Sequence, residues 1–186
     1  SHFYLEKQNY EQAFVTLQSL ANSKASPHYI SYAHSNLGAL YLQRGEYPKA
    51  EAEFKKGIKV QPSRPSNYLN LGTIYASQGR YQEAKKAYEK AENLYKNYKW
   101  GDLASPELYL NKAKLLLTLG LYQEAENSAK HYIKRVPTPG KAHYILGQIY
   151  AAMGKHVDAL REYNQSGNDP KLSAQVHNSK ALIFIQ

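Results

Sequence analysis

Cysteine is absent from this chain of 186 residues, and methionine and tryptophan each occur only once. Without cysteine there can be no disulfide, no thiol nucleophile and no thiolate metal ligand. Cysteine-free chains are tolerated in reducing and in oxidising compartments, so this absence does not indicate where the protein resides. The sequence also has no run of about 18 apolar residues, which excludes a membrane-spanning helix within these residues.

The sequence motifs of common catalytic sites are missing as well. The chain contains no His-Glu-x-x-His, no Gly-x-Ser-x-Gly and no Gly-x-Gly-x-x-Gly. Gly147 and Gly154-Lys155 resemble a phosphate-binding loop only faintly, because six residues separate the glycines where four are needed. The seven histidines are scattered along the sequence. We therefore expect no enzyme activity, no cofactor and no metal site in these residues.

Small residues recur at regular intervals along the chain. Gly38 and Gly72 are separated by the same interval as Ala113 and Gly147. Two further series run in register with them: Gly45, Gly79, Gly120 and Gly154, and Ala13, Ala50, Ala84, Ala125 and Ala159. Apolar residues between these positions follow helical spacing. The pattern predicts helices near 31–44, 47–60, 65–78, 81–98, 106–119, 122–135, 140–153 and 156–167.

A helix–turn–helix period of about 34 residues with this pattern resembles the tetratricopeptide repeat family. The resemblance implies an all-α fold, a right-handed superhelical solenoid of antiparallel helix pairs. It describes residues 1–186 as a single array. The array comprises a partial repeat at 1–30 (mainly its second helix), full repeats at 31–64, 65–98, 106–139 and 140–173, an insertion at 99–105, and the first helix of a truncated repeat at 174–186. Both ends have the character of cuts through a longer protein.

Tyrosine is unusually frequent, with 18 residues. Eleven occupy large-aromatic positions of the repeat, where their rings can fill the seams between helices. They are Tyr10, Tyr41, Tyr47, Tyr68, Tyr75, Tyr81, Tyr88, Tyr109, Tyr122, Tyr150 and Tyr163. The other seven are candidates for another role, namely Tyr4, Tyr29, Tyr32, Tyr95, Tyr98, Tyr132 and Tyr144.

Two departures from the period stand out. Seven extra residues between Ala84 and Ala125 predict a long second helix, and Tyr98, Lys99 and Trp100 beside it form a candidate secondary patch. The alternative is that Trp100 fills the gap which its own insertion makes. Near residues 22–29 the chain is about three residues longer than the repeat period predicts.

In this family the first helix of each pair lines a concave groove. The resemblance implies that a bound peptide contacts Tyr32, Asn36, Gln43, Asn70, Thr73, Leu110, Asn111, Lys114, Tyr144 and Gln148. The wider face that it implies adds Ser35, Ala39, Ser66, Leu69, Ser77, Glu107, Thr118, Lys141, Ala152, Gln175, Asn178 and Leu182. Asn36, Asn70 and Asn111 recur at one position, similar to the asparagine ladder of long arrays such as O-linked GlcNAc transferase. Because an amide offers both a donor and an acceptor, it could hold the backbone of an extended segment.

The resemblance implies a protein–protein interaction scaffold that binds an extended peptide or protein segment in its groove. Chaperone-binding members use a clamp of Lys, Arg and Asn instead, but Ser35 and Ala39 stand where two clamp residues would be. The alternative function is a substrate-presenting or assembly domain of a larger membrane-associated or glycosyltransferase-like protein, whose catalytic part lies outside these residues. The compartment stays open among cytoplasm, periplasm and a membrane-tethered location.

Positive charge exceeds negative charge, with 24 Lys and Arg against 15 Asp and Glu. Many of the lysines lie on predicted second helices near glutamates, which is typical of a solvated face with pairs along the helix. We expect no nucleic-acid partner, since such a site needs cations along one groove with stacking aromatics. Membrane contact is expected only through parts outside these residues. Self-association is a further expectation, through the apolar residues Ala181, Leu182, Ile183, Phe184 and Ile185.

Overall fold

The computed structural model describes residues 2–97, 105–166 and 172–185 of the chain, and the side chains of 9–97, 105–166 and 172–183. Every regular element in these ranges is an α-helix. The helices are α1 (His2–Ala21), α2 (Pro27–Gln43), α3 (Tyr47–Val60), α4 (Pro65–Ser77), α5 (Tyr81–Asn97), α6 (Pro106–Thr118), α7 (Tyr122–Ile133), α8 (Gly140–Ala152), α9 (His156–Ser166) and α10 (Ser173–Ile185).

The helices belong to two compact units, Ser1–Asp102 and Leu103–Gln186. In the first unit α2 packs against α3 and α4 against α5, while α1 covers α2 and α3 contacts α4. In the second unit α6 packs against α7 and α8 against α9, and α10 contacts both α8 and α9. The helices that begin successive pairs also meet, α2 with α4 and α6 with α8. The all-α helical-repeat fold that the sequence predicted is confirmed.

The predicted helices are confirmed to within a few residues at each end. The largest difference is at α2, which begins at Pro27 and not at residue 31. Pro27 occupies the first turn, where a missing N–H costs nothing, and so it starts the helix early. This added turn accounts for the excess near 22–29. Helix α5 extends to Asn97, and the insertion that follows lies largely outside the described residues. The repeat boundaries themselves stay a prediction.

One turn recurs between the two helices of each pair. Its glycine has a φ of 72–75°, a left-handed conformation that suits glycine. The residue after the glycine donates its N–H to a carbonyl five residues earlier, as Glu46 does to Tyr41 at 2.9 Å. This bond closes the end of the first helix and directs the chain into the second. The turn occurs at Gly45, Gly79, Gly120 and Gly154.

A glycine lies against a buried aromatic ring where the helices of a pair cross. A Cβ added to Gly38 would lie 2.7 Å from Cε1 of Phe54, and one added to Gly72 would lie 2.5 Å from Cε1 of Tyr88. Gly147 lies against Tyr163 in the same way. Each ring follows its glycine at the same interval along the sequence. Without a side chain on the glycine, the ring can fill the space between the two backbones.

The pair formed by α6 and α7 has different residues where its two helices cross. Ala113 takes the place of the glycine, and Ala129, at the same interval after it, takes the place of the aromatic ring. Both alanines are completely buried. A methyl group is therefore tolerated on the first helix where the second helix carries no ring, which is the size exchange that close packing requires.

A buried polar cluster joins three helices of the first unit. Asn67 of α4 is completely buried, and its Oδ1 accepts a hydrogen bond from Ser35 Oγ of α2 at 2.6 Å. Ser31 Oγ of the same helix donates to the carbonyl of Gly57 in α3 at 2.9 Å. Gly57 leaves room for the amide, because a Cβ there would lie 2.7 Å from Asn67 Nδ2. Burial of these groups is tolerated because each has a partner.

Polar contacts between successive pairs also recur. The Tyr75 hydroxyl donates to Glu51 at 3.3 Å in the first unit, and the Tyr150 hydroxyl donates to Glu126 at 3.0 Å in the second. The Lys130 ammonium lies 2.5 Å from Glu126. Its hydrogen bond holds the pKa of Glu126 below the usual value, and the bond from Tyr150 acts in the same direction.

Two of the histidines have a structural role. His34 Nδ1 lies 2.7 Å from Glu53, and His143 Nδ1 lies 2.7 Å from Glu162. Each contact joins the first helix of a pair to the second. These histidines therefore hold helix pairs together.

Five of the eleven tyrosines at repeat positions are buried, as a seam-filling role requires. The hydroxyphenyl rings of Tyr75, Tyr88, Tyr109, Tyr150 and Tyr163 are buried. Tyr47 and Tyr81, at the starts of second helices, are more exposed than a seam-filling role implies. Among the other seven, Tyr95 and Tyr132 are buried core residues, whereas Tyr29 and Tyr32 are exposed. The side chains of Tyr4 and Tyr98 lie outside the described residues.

The glycine–ring contact predicts the effect of a single methyl group. Gly72→Ala should lower the free energy of unfolding by about 1–3 kcal/mol, because the Tyr88 ring must move out of a packed interface. Alanine is by itself the better helix former by about 1 kcal/mol, so helix propensity would give the opposite sign. Urea denaturation followed by circular dichroism measures the change. In a double-mutant cycle with Tyr88→Leu, the double variant should lose less stability than the sum of the losses of the two single variants. Strict additivity would show that the two residues do not interact.

The polar cluster predicts a second loss of stability. Asn67→Ala should cost about 1–3 kcal/mol, because it removes the amide from a buried network and leaves donors and acceptors without partners. Asn93→Ala on the exposed face of α5 is the matched control, and it should change stability by about 0.5 kcal/mol or less. Equal effects of the two substitutions in thermal and urea unfolding would contradict the role of the cluster.

Candidate functional site

A cleft lies in the second unit between α6, α8 and the start of α10. Its volume is about 640 Å³, which is within the range of ligand-binding clefts. The first helices of two successive pairs form its long walls, and the segment that enters α10 closes one side. Its lining consists of Glu107, Leu110, Asn111, Lys114, Leu117, Thr118, Lys141, Tyr144, Ile145, Gln148, Leu172 and Gln175.

The lining combines apolar, amide and charged groups. Leu110 and Ile145 are buried, so they contribute apolar wall between the helices and little protruding surface. Asn111 and Gln148 contribute amides, one from each wall. The charged groups include Lys114, which is exposed. This mixture of apolar wall and a few polar groups is typical of sites that orient a ligand as well as bury it.

Tyr144 connects the wall of the cleft to α10. Its hydroxyl accepts a hydrogen bond from Gln148 Nε2 at 3.2 Å, and it lies 3.4 Å from Ser179 Oγ of α10. Its ring centre lies 5.8 Å from that of Tyr163 in α9. Tyr144 is thus held on two sides by its own unit, so its position in the lining is set before any partner binds.

Five of the ten residues predicted for the groove come together in this cleft. They are Leu110, Asn111, Lys114, Tyr144 and Gln148. Glu107, Thr118, Lys141 and Gln175 of the wider implied face join them there. Leu117, Ile145 and Leu172 were missed. Leu117 could have been found, since it follows Leu110 by seven residues and so shares its face of α6. That any of these residues contacts a partner stays a prediction.

The other five predicted residues lie in the first unit, three on α2 and two on α4. Tyr32 and Gln43 are exposed, and Asn36 donates its amide to the Tyr32 carbonyl at 3.0 Å. Thr73 donates to the Leu69 carbonyl at 3.1 Å. The fifth residue is Asn70, which is partly exposed on α4.

Thr73 also receives a bond from inside the helix pair. The Tyr88 hydroxyl donates to Thr73 Oγ1 at 3.3 Å. Burial of the Tyr88 ring raises the pKa of its hydroxyl, which therefore stays protonated and keeps this donor. The hydroxyl of Thr73 is accordingly occupied by bonds within its own unit on both its donor and acceptor sides.

Two members of the wider implied face are core residues. Ser35 is buried and bonds to Asn67 and to the Ser31 carbonyl, so it belongs to the polar cluster and not to a groove. Leu69 is buried as well. The face of a helix was assigned from spacing alone, and one residue of spacing rotates a side chain by about 100° on a helix.

The candidate secondary patch of Tyr98, Lys99 and Trp100 lies outside the described residues. Throughout residues 2–97, 105–166 and 172–185, no helix is long and apolar enough to cross a membrane. The same ranges contain no group of three or more His, Asp or Glu that could hold a metal ion.

Three sequence profiles of one family match the chain. A tetratricopeptide repeat profile matches residues 64–138, a TPR repeat profile matches 38–79, and a further tetratricopeptide repeat profile matches 110–173. Together they extend from residue 38 to residue 173. No curated protein gives a match.

Solved structures with a similar fold include several of MamA and one of pilF. The crystal structure of MamA has a TM-score of 0.68 at 23% identity, over 80% of this chain and 83% of that chain. MamA 41-end from Desulfovibrio magneticus RS-1 has a TM-score of 0.72 at 18% identity, over 83% and 84%. Pseudomonas aeruginosa pilF has a TM-score of 0.72 at 20% identity, over 87% and 70%. At these identities the likeness shows the fold alone.

The family profiles, the recurring glycine turn and the stacked helix pairs agree with one another. They also account for the regular interval between the small residues of the sequence. The chain therefore belongs to the tetratricopeptide repeat family and is, in general terms, a protein-interaction scaffold.

Proposed function

We propose that the chain binds an extended protein segment against the first helices of its helix pairs, with the cleft of the second unit as the principal site. The observation that carries this proposal is the lining of that cleft. Residues from α6, α8 and the entry to α10 surround a volume of about 640 Å³. They supply hydrogen-bonding amides beside apolar surface, which is what a peptide backbone with mixed side chains requires.

The amides are suited to a peptide backbone. Each peptide unit presents one N–H and one C=O, and an Asn or Gln side chain can donate to the one and accept from the other. Asn111 and Gln148 stand on opposite walls of the cleft. Bonds of this kind read no side chain, so binding would tolerate a range of sequences. Leu117 and Leu172 would then receive apolar side chains of the segment.

The predicted groove residues of the first unit extend the proposal. Asn36 and Asn70 occupy the same repeat position as Asn111. The internal bond of Asn36 uses one of its N–H groups, which leaves its oxygen and its second N–H for a partner. We infer a role in binding alone for these residues, with no chemistry performed by the chain.

Paired asparagine substitutions test this proposal. Short random peptides are first selected on the intact chain, and their dissociation constants are then measured by fluorescence anisotropy. Asn111→Ala should weaken binding by about 1 kcal/mol, or roughly fivefold, through loss of a hydrogen bond to the peptide. Asn70→Ala should weaken by a similar factor the selected peptides that bind to the first unit, while the helical signal in circular dichroism stays unchanged in both variants.

The chain offers matched controls for both positions. Asn127 on α7 and Asn93 on α5 are exposed asparagines on second helices, so their replacement by Ala changes the same chemical group away from the groove. Both should leave the dissociation constant unchanged. If Asn70→Ala and Asn111→Ala each bind all selected peptides as tightly as these controls do, the groove proposal is wrong.

A further inference from the structure

Helix α2, the first helix of the pair α2–α3, is about one turn longer than the first helices of the other pairs. Helix α2 has 17 residues, whereas α4, α6 and α8 have 13 each. The additional turn begins at Pro27 and carries His28 and Tyr29, which are both exposed. The repeat does not need this turn for its packing, because the other first helices pack without it. The added turn therefore distinguishes α2 from the other first helices of this chain.

Four side chains meet at this end of α2 and form what we name the tyrosine–arginine patch: His28, Tyr29, Tyr32 and Arg64. Tyr29 and Tyr32 are 58% and 48% exposed and lie three residues apart, so they share one face of the helix. The His28 and Tyr29 rings meet edge to face with their centres 5.6 Å apart. The guanidinium carbon of Arg64 lies 5.9 Å from the centre of the Tyr32 ring.

Arg64 lies in the segment just before α4, so the patch joins two helix pairs. Its Nη2 donates to the His28 carbonyl at 3.2 Å and lies 3.4 Å from the His28 ring nitrogen Nδ1. These contacts fix the guanidinium beside the exposed tyrosines. A fixed guanidinium loses less conformational entropy when it binds a partner than a mobile one would.

Arg64 differs from the other arginines of its unit in the partners that it has. Arg44 and Arg80 each pair with glutamates at distances between 2.6 and 3.2 Å. Within the described residues, the side-chain hydrogen bonds of Arg64 go to His28, and its Nε is buried without a partner. Burial lowers the pKa of Arg64 from its ordinary value, and Tyr32 opposes this effect only in part.

The two stretches of sequence that carry the patch contain no carboxylate. Neither residues 12–45, which include α2, nor residues 54–82, which include α4, contain a single Asp or Glu. The two tyrosines and the arginine are therefore accompanied only by neutral and basic side chains along these two stretches. A surface of this composition is complementary to a partner that brings negative charge.

We propose that the tyrosine–arginine patch is a second interaction surface, which binds an acidic segment of a protein partner. A carboxylate of the partner pairs with Arg64, and a neighbouring apolar or aromatic side chain packs on Tyr29 and Tyr32. Tyrosine and arginine are enriched among the residues that dominate binding energy at protein interfaces. A guanidinium also matches the geometry of a carboxylate better than a point charge does. The patch uses none of the cleft residues of the second unit and so does not depend on the proposed function.

A peptide selection tests this proposal with a defined probe. A display library of short random peptides is selected on the intact chain and depleted on an Arg64→Gln variant of it. Peptides that only the unchanged chain retains should be enriched in Asp or Glu next to Phe, Tyr, Trp, Leu or Ile. The absence of such enrichment, or of any peptide that distinguishes the two chains, would overturn the proposal.

Measured affinities of an enriched peptide sharpen the test. Arg64→Gln should weaken binding by roughly 10- to 100-fold, as expected for loss of hydrogen bonds to a charged group. Tyr29→Ala should weaken binding several-fold. Arg44→Gln is the matched control, because its glutamate partner is internal, and it should leave affinity unchanged. Replacement of the peptide's Glu by Gln should remove the difference between the chain and its Arg64→Gln variant.

Three results would contradict the proposal. An equal loss with Arg44→Gln would indicate a general attraction between opposite charges. Displacement of the peptide by millimolar inorganic phosphate, with Gln-substituted peptides binding equally well, would indicate a phosphate site. Loss of the same peptide with Asn111→Ala would place it in the cleft. Circular dichroism verifies that each variant is folded. If Arg64→Gln is not folded, Arg64→Lys replaces it in the selection. Arg64→Lys should bind the peptide with intermediate affinity.

Discussion

The close crossing of two helices within each pair is the constraint on which the rest of the molecule depends. Two backbones can approach only if the residue on one helix is small where the other places a ring. Gly38 with Phe54 and Gly72 with Tyr88 meet this requirement. Ala113 with Ala129 meets it because an alanine stands where the other pairs carry an aromatic ring. Because protein interiors are close-packed, such contacts hold the second helix at a fixed distance from the first.

The fixed crossing determines which side chains are available for binding. One face of each first helix is used by its own second helix, and a neighbouring face is used by the next first helix of the same unit, as between α2 and α4 and between α6 and α8. Asn67 shows how fully these faces are used, since it reaches serines of α2 across the boundary between pairs. What is left on the first helices is a strip of amide, hydroxyl and lysine side chains. In the second unit that strip borders the cleft.

The two surfaces proposed for binding differ in origin. The cleft of the second unit arises from the repeat itself, since its walls are two first helices of equal length. The tyrosine–arginine patch arises from a departure from the repeat, the added turn of α2. Amides and apolar groups favour sequence-tolerant contact in the cleft, whereas Arg64 and two exposed tyrosines favour one kind of partner chemistry.

Much of the fold could be predicted because it rests on local rules. The helix ends follow from glycines with positive φ such as Gly45, and a residue's repeat position follows from the period. Five of the ten predicted groove residues line the cleft, because the repeat spacing assigned them to the correct faces of α6 and α8. Ser35 was assigned to the groove wrongly, because spacing gives the direction of a side chain only to within a part of a turn. Leu172 was missed because it precedes a helix and has no periodic neighbours to indicate its face.

The sequence by itself determined the helices, their pairing and the sizes of the residues where they cross, since each of these depends on neighbours at a regular interval. Only the tertiary structure decided which polar side chains find partners. Glu51 and Glu126 are satisfied by residues of the next pair, and Asn67 is buried among serines. Arg64, in contrast, reaches no carboxylate within the described residues. Whether a charge is compensated depends on distances between residues far apart in the chain, and no periodicity encodes these distances.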